Sequence, residues 1–272
     1  MIIGLQINAK VMESSSLLQA KIFDQKFNER EMFIESMPEI KKALPQLSKV
    51  RSCAMLGCGY GHLDLEFVDG CLRNLTRIAA VDPDPEHLAE FKIRVEQLLP
   101  TVTVRFFEET AQSWKGDNKP FDAVLLFEVL YFIPPAERPA LFKKIFSKFV
   151  ASGGFVFIYT YPTLASNPTT SFGRVIGRLG VPAFEDTDVA TIRDMMKTAG
   201  FSLLYEIPID AELNVQEPAD EFFSLYSLWS EGKFSVEDVR RVFEDEFDED
   251  KICKFTVRFL AFKKPESTCS LV

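Results

Sequence analysis

Three closely spaced glycines follow an apolar segment that is predicted to form a strand. The predicted strand covers residues 50–56, and Gly57, Gly59 and Gly61 come directly after it, before an apolar helical pattern over residues 63–75. A glycine turn between a strand and a helix lets the backbone approach a ligand and leaves N–H groups free to bind it. The pattern favours a nucleotide-like ligand, although Gly-x-Gly-x-Gly also occurs in ordinary tight turns.

An acidic residue ends the next predicted strand. Asp82 lies 21 residues after Gly61 and directly after residues 78–81. A carboxylate at this place can accept hydrogen bonds from both hydroxyls of a ribose. The alternative is that Asp82 and Pro83 simply begin a turn. Dinucleotide loops usually read Gly-x-Gly-x-x-Gly, whereas His62 and Leu63 follow Gly61 here, so a nicotinamide dinucleotide is disfavoured.

Glu128 is the candidate catalytic residue. It follows residues 121–127, a fully apolar predicted strand, and parallel sheets present reactive groups at the carboxyl ends of their strands. Its carboxylate could accept a hydrogen bond from an amine or imidazole N–H and stabilise positive charge that develops on the nitrogen. The alternative is an ion pair with a basic residue, for which Lys254 is a candidate. If both residues lined a pocket unpaired, a substrate with an amine and a carboxylate would be favoured over a diamine.

Aromatic side chains could enclose a cationic ligand, because ring faces attract cations. The candidates are Tyr131, Phe132, Tyr159, Tyr161, Phe172, Phe222 and Phe223. The chain has 26 phenylalanines, so most of these rings are expected in the core, and Tyr131 and Phe222 are the preferred candidates. The chain has only two histidines, and a histidine-based hydrolytic or metal site is therefore not expected.

Alternating strands and helices must position these residues. The predicted strands are 50–56, 78–81, 102–106, 121–127, 155–159, 203–208 and 255–262, and the predicted helices are 63–75, 86–98, 136–149, 187–198, 219–230 and 235–247. This order predicts an α/β fold with a mostly parallel seven-stranded sheet and helices on both faces. We expect a single domain over 1–272: an N-terminal helical cap (1–46), a core (47–208) with a flexible insertion at about 160–186, C-terminal helices with the last strand (209–263), and a tail (264–272).

Composition excludes several classes of partner. The net charge of −9 and the lack of a basic stretch argue against nucleic acid. The five cysteines are odd in number and lack C-x-x-C spacing, which predicts neither a disulfide framework nor a zinc site and fits a reducing cytoplasm. No apolar run approaches the length of a membrane span. We expect a cytoplasmic monomer that acts on a small molecule.

Four short motifs follow one another between Ser48 and Tyr159. They are Leu56 to Gly61, Val81-Asp82, Phe121 to Val124 and Gly153 to Val156. In this order they resemble class I S-adenosylmethionine-dependent methyltransferases. The resemblance implies a Rossmann-like fold, S-adenosylmethionine as the methyl donor, S-adenosylhomocysteine as the product, and no metal.

A further resemblance, to the histamine N-methyltransferases, covers most of the chain. It rests on residues 57–65, Val81 to Pro83 with Glu86-His87, Leu130 to Phe132, and Glu221 to Phe223. It implies that the N-terminal helices cover the substrate, with an acidic contact near Asp24 or Gln25. Donor contacts would come from Gly57, Gly59, Asp82, His87, Ala111 and Phe127, and Gly61 belongs to the same loop. Substrate contacts would come from Glu128, Tyr131, Phe172, Phe222 and Lys254.

This sequence departs from that family on the substrate side. Glu128 and Lys254 stand where the family has side-chain amides, and Phe172 and Ile176 stand near two family tryptophans. The sequence therefore predicts an N-methyltransferase of a small amine, which could be histamine-like, an imidazole, another biogenic amine or an amino acid derivative. Two alternatives remain. One is methylation of a hydroxyl or a carboxylate, although Glu128 disfavours a carboxylate acceptor. The other is a non-catalytic scaffold that binds the donor.

Overall fold

A twisted seven-stranded sheet forms the centre of the protein. The computed structural model describes residues 16–161, 171–180, 188–216, 220–230, 232–247 and 251–266. The strands of the described part are β1 (Ser52–Leu56), β2 (Arg77–Val81), β3 (Thr103–Phe107), β4 (Phe121–Phe127), β5 (Val150–Thr160), β6 (Ser202–Asn214) and β7 (Ile252–Lys263). Their order is β3-β2-β1-β4-β5-β7-β6, and only β7 runs antiparallel to its neighbours. The expected α/β fold with a mostly parallel seven-stranded sheet is confirmed.

Helices cover both faces of this sheet. In the described part they are α1 (Ser16–Asp24), α2 (Glu29–Ala43), α3 (Asp64–Cys71), α4 (Pro85–Leu98), α5 (Arg138–Lys144), α6 (Ser171–Leu179), α7 (Val189–Ala199), α8 (Asp220–Trp229) and α9 (Val236–Glu246). Because the central strands β1 and β4 are covered on both faces, their side chains are almost all apolar and buried. No helix in the described ranges is long and apolar enough to cross a membrane.

The strand order brings the candidate site residues to one edge of the sheet. β1 is parallel to β2 on one side and to β4 on the other, with Leu56 beside Val81 and Met55 beside Leu125. The chain therefore leaves these three strands at the same edge, where Gly57, Asp82 and Glu128 follow directly. In open α/β sheets, ligands bind at this edge, where the strand order reverses.

Helix α1 lies over this edge and is fixed to it by polar contacts. The Ser16 hydroxyl donates to Asp84, and Lys21 Nζ lies 2.8 Å from Glu90 Oε1 on α4. His62 Nδ1, just after the glycine loop, lies 3.0 Å from Asp24 Oδ2 at the end of α1. The predicted helical cap is thus present over the described part, and its last turn reaches the glycine loop.

Two expectations about the second half of the chain need correction. β6 extends to Asn214 rather than ending at residue 208, because it pairs with β7 along its whole length. The predicted flexible insertion contains the helix α6, whose buried face of Phe172, Val175, Ile176 and Leu179 packs into the core. The rest of that insertion, 162–170 and 181–187, lies outside the described residues. The domain boundaries given above stay a prediction.

Candidate functional site

The edge of the sheet beneath α1 contains a cavity of about 480 Å³. A volume of this size suits a small-molecule ligand. Its walls come from α1, the glycine loop, the turn after β2 and the segment after β4. They include Gln19, Phe23, Asp24, Gly57, Gly59, Tyr60, His62, Asp64, Asp82, Asp84, His87, Phe127, Glu128 and Tyr131.

Gly57 is required by the close approach of the loop to the segment after β4. Its φ is +69°, and a Cβ there would lie 2.2 Å from Val129 Cγ2. Only glycine fits at position 57, and its backbone lines the cavity without a side chain. Gly59 also lines the cavity. Gly61 lies outside it and packs so closely on Leu65 that a Cβ would lie 2.7 Å from Leu65 Cδ1.

Asp82 is held in one orientation by two backbone N–H groups. Gly59 N donates to Oδ2 at 2.9 Å, and Asp84 N donates to Oδ1 at 3.0 Å. The side chain is largely buried, and burial raises the pKa of its carboxyl. Each carboxylate oxygen keeps a further lone pair, so the group can still accept hydrogen bonds from two ligand hydroxyls.

Two histidines in the cavity wall have a ring nitrogen without a partner. His62 Nδ1 contacts Asp24, and His87 Nδ1 lies 4.0 Å from Asp82 Oδ1. In both rings Nε2 is buried and has no hydrogen-bond partner. Buried polar atoms are normally paired, so unpaired ones in a cavity wall fit a ligand that carries polar groups of its own.

Glu128 has a backbone conformation that is rare for its type. Its φ is +51°, in the left-handed region, and its N–H donates to the Tyr159 carbonyl at 2.9 Å. Strain of this kind persists where the surroundings impose it, and it is frequent at functional sites. Burial raises the pKa of the Glu128 carboxyl well above its usual range, and the neighbouring Glu29 raises it further.

Glu29 lies behind Glu128 and outside the cavity wall. It begins α2, is 3% exposed, and accepts a hydrogen bond from the Tyr161 hydroxyl. Burial raises the pKa of the Glu29 carboxyl to about 7, an effect that the hydroxyls of Tyr161 and Tyr159 partly oppose. Two neighbouring buried carboxyls cannot both ionise without a large cost, so the pair titrates as a unit.

The cavity wall is strongly acidic. Its carboxyl groups are Asp24, Asp64, Asp82, Asp84 and Glu128, and the described residues contribute neither lysine nor arginine to it. Burial also raises the pKa of Asp64 well above its usual range. Such a wall favours a cationic ligand and disfavours an anionic one.

Residues 54–154 match the model of a family described as "Methyltransferase domain". Three solved structures share the fold. BH2331 of Bacillus halodurans, assigned as a methyltransferase, has a TM-score of 0.61 and 12% identity over 82% of this chain and 98% of its own. The fold is that of class I methyltransferases. No curated protein sequence gives a significant match.

The other two structures show how varied proteins with this fold are. A Galdieria sulphuraria protein, assigned as a sarcosine dimethylglycine methyltransferase, has a TM-score of 0.54 and 14% identity over 86% of this chain and 85% of its own. The cyclopropane synthase MmaA2 of Mycobacterium tuberculosis has a TM-score of 0.54 and 12% identity over 83% of this chain and 84% of its own. The family match and the fold indicate a methyltransferase domain and point to no particular acceptor.

The structure brings most of the predicted donor-binding residues together. Gly57, Gly59, Asp82, His87 and Phe127 line the cavity. Ala111 is buried in the segment after β3 and is not part of the wall. The oriented Asp82 carboxylate, the bare backbone of the loop and the unpaired histidine nitrogens fit an adenosine that carries a polar tail.

Replacing Asp82 by Ala is expected to weaken the binding of S-adenosylhomocysteine by roughly 1.5 to 3 kcal/mol, the usual range for hydrogen bonds to a charged group. The variant loses the hydrogen bonds from the Asp82 carboxylate to the ribose, and it also loses the carboxylate that accepts the Gly59 N–H and orients the loop. Calorimetric titration measures it. Asp194→Ala on the exposed face of α7 is the control, and equal affinity in both variants would remove Asp82 from the site.

Fewer of the predicted substrate-binding residues line the cavity. Tyr131 and Glu128 line the cavity. Phe222 is buried one layer behind it, with its ring 6.1 Å from that of Phe23, which does line the cavity. Phe172 is also in the core, 6.1 Å from the ring of Phe27.

The alternative ion pair of Glu128 with Lys254 does not form, and Lys254, a predicted substrate contact, does not line the cavity. The Lys254 side chain is 82% exposed, and its Nζ lies 3.8 Å from Glu212 Oε1. Side chains alternate along β7, so that Cys253 and Phe255 are buried and Lys254 faces outward. The residues beside Glu128 are Glu29 and Tyr161 instead.

Sequence reasoning missed the role of Glu29 and of His62. Of the two residues named for an acidic substrate contact, Asp24 lines the cavity and Gln25 does not, and the contact itself stays a prediction. Glu29, five residues after Asp24, is the acidic residue beside Glu128. A signal existed for His62, which directly follows Gly61, but not for Glu29, which is one of several acidic residues of α2.

Proposed function

We propose that the protein transfers a methyl group from S-adenosylmethionine to the nitrogen of a small amine. The observation that supports this most directly is the position of Glu128. It lies in an acidic cavity wall, beside Glu29, at the edge of the sheet where a class I methyltransferase binds its donor. A cationic amine is the acceptor that such a wall attracts.

The donor would be held by the glycine loop, Asp82 and His87. S-adenosylmethionine supplies a methyl group on a sulfonium centre, which a neutral nitrogen attacks. Gly57 and Gly59 offer backbone at the cavity wall, and Asp82 is oriented to accept hydrogen bonds from ribose hydroxyls. The acidic surroundings also favour the positive charge of the donor.

Glu128 would bind the amine and take its proton. An amine is an ammonium ion at neutral pH and has no lone pair until it loses a proton. A carboxyl group is an effective proton acceptor when its pKa is close to the operating pH, and burial beside Glu29 moves the pKa of Glu128 upward, towards that of an amine. The Glu128 side chain forms hydrogen bonds with Glu29 and with the Tyr161 hydroxyl, so Glu29 is a positioning residue.

The surroundings favour an acceptor without a carboxylate. Lys254, the expected partner of an acceptor carboxylate, lies on the surface, and the described part of the cavity wall holds no lysine or arginine. An amino acid would therefore place its carboxylate among acidic groups. Simple amines, diamines and imidazole amines fit better, whereas carboxyl methylation is disfavoured.

Transfer of a labelled methyl group to matched acceptors tests the proposal. Histamine is compared with histidine, which adds a carboxylate to the same amine, and tyramine with 4-hydroxyphenylacetate, which has a carboxylate and no amine. We expect transfer to histamine and tyramine only, on nitrogen. Methylation of 4-hydroxyphenylacetate but of neither amine would contradict it in favour of a hydroxyl or carboxyl acceptor. Donor binding without transfer to any acceptor would favour the scaffold.

A further inference from the structure

His62 is a buried polar group at the cavity for which the proposed methyl transfer has no use. It follows the glycine loop directly, lines the cavity, and contacts Asp24 of the covering helix through Nδ1 at 3.0 Å. Asp24 also accepts a hydrogen bond from the Tyr60 hydroxyl, so its position is fixed from two sides. Nε2 of His62 is buried and has no partner.

Charge balance in the cavity shows what His62 can bind. S-adenosylmethionine carries a sulfonium, an ammonium and a carboxylate. The two positive groups suit an acidic wall, but the carboxylate must find a donor of hydrogen bonds there. Among the described residues of the wall, the groups that can carry a positive charge are His62 and His87. His87 lies beside Asp82, at the ribose end of the site.

We infer that His62, oriented by Asp24, binds the α-carboxylate of S-adenosylmethionine through its Nε2–H, an assignment that rests on the proposed use of this donor. Asp24 accepts the other ring N–H, which leaves Nε2 to the ligand. Because Asp24 belongs to α1, the same contact joins the covering helix to the bound donor.

The surroundings of His62 support a protonated ring. Burial lowers its pKa, but the hydrogen bond and negative charge of Asp24, together with the charge of Glu128, outweigh burial and raise the pKa above the usual value. A protonated imidazole has two N–H donors, one for Asp24 and one for a carboxylate. A charge-assisted hydrogen bond of this kind is stronger than a neutral one.

Two ligands that differ only by a carboxylate test the assignment. Binding of S-adenosylmethionine and of decarboxylated S-adenosylmethionine is measured by calorimetry, without any acceptor, for the wild-type protein and for His62→Gln. We expect His62→Gln to weaken S-adenosylmethionine binding about tenfold, because the neutral amide can donate a hydrogen bond but cannot make a charge-assisted one. Binding of the decarboxylated ligand should change by less than about threefold, within the scatter of a remote change.

His87→Gln is the matched control, because His87 also leaves Nε2 unpaired but lies at the ribose, which both ligands share. It should weaken both ligands alike. An equal loss of the two ligands in His62→Gln, or no loss of either, would overturn the assignment, even if the variant is less stable. Failure of the wild-type protein to bind S-adenosylmethionine would instead contradict the proposed function.

Discussion

Glu29→Gln is expected to make the unliganded protein more stable than the wild type at pH 8 and about equally stable at pH 4. Burial raises the pKa of the Glu29 carboxyl to about 7 in the folded protein, whereas an unfolded glutamate titrates near its usual value of about 4.3. Between these values the folded state binds more protons, so stability is fully present below about pH 4 and is lost as the pH rises through about 7. Glutamine cannot ionise, and its amide oxygen can still accept the Tyr161 hydroxyl.

The expected difference at pH 8 is about 3 to 4 kcal/mol, the free energy that corresponds to such a shift. Denaturant unfolding at pH 4, 5, 6, 7 and 8 measures it. Glu31→Gln is the control, because Glu31 lies on the same helix with its side chain 59% exposed and should unfold like the wild type at every pH. A constant difference between Glu29→Gln and the wild type across this range would show that the two carboxyls are not a buried titrating pair.

The strand ends were predictable because they depend on local sequence. Apolar runs followed by Gly57, Asp82 and Glu128 predict three strands that end at these residues, and the three ends share one edge because the strands are parallel. The parallel arrangement follows from the alternation of strands and helices. For this reason local sequence indicates most of the donor side of the site, and five of its predicted residues line one cavity.

The acceptor side depends on contacts between residues that are distant in sequence. Glu29 is 132 residues from Tyr161, whose hydroxyl it binds. Nothing local distinguishes it from the other acidic residues of α2, of which Glu31 is exposed. Which one is buried depends on how α2 packs on the sheet, and this packing is a property of the whole fold.

Lys254 illustrates a different limit. Its position near the start of the last strand was predicted within a few residues, but the face on which it lies depends on the pairing of β7 with β6. Successive side chains of a strand point to opposite faces, so an error of one residue moves a predicted cavity residue to the surface. Lys254 pairs with Glu212 across this ladder and does not reach the cavity.

Glu128→Gln is expected to lower kcat for the best amine acceptor by about 100-fold or more, within the usual range for a group that transfers a proton in the reaction. Glutamine keeps the shape of the side chain but cannot accept the proton of an ammonium ion or balance the charge on the nitrogen. The affinity for S-adenosylhomocysteine should change far less than kcat, because Glu128 affects the proposed carboxylate contact only through its charge, which raises the pKa of His62. Steady-state kinetics and calorimetry give the two values.

Glu212→Gln makes the same chemical change at the exposed partner of Lys254 and should leave kcat unaltered. A thermal unfolding curve of Glu128→Gln distinguishes a loss of catalysis from a loss of folded structure. We expect the variant protein to be at least as stable as the wild type near neutral pH, because it lacks one of two buried carboxyls that repel each other when ionised. If Glu128→Gln turned over its best amine at the full rate, Glu128 would have no part in the reaction, and its left-handed backbone would reflect only the turn that ends β4.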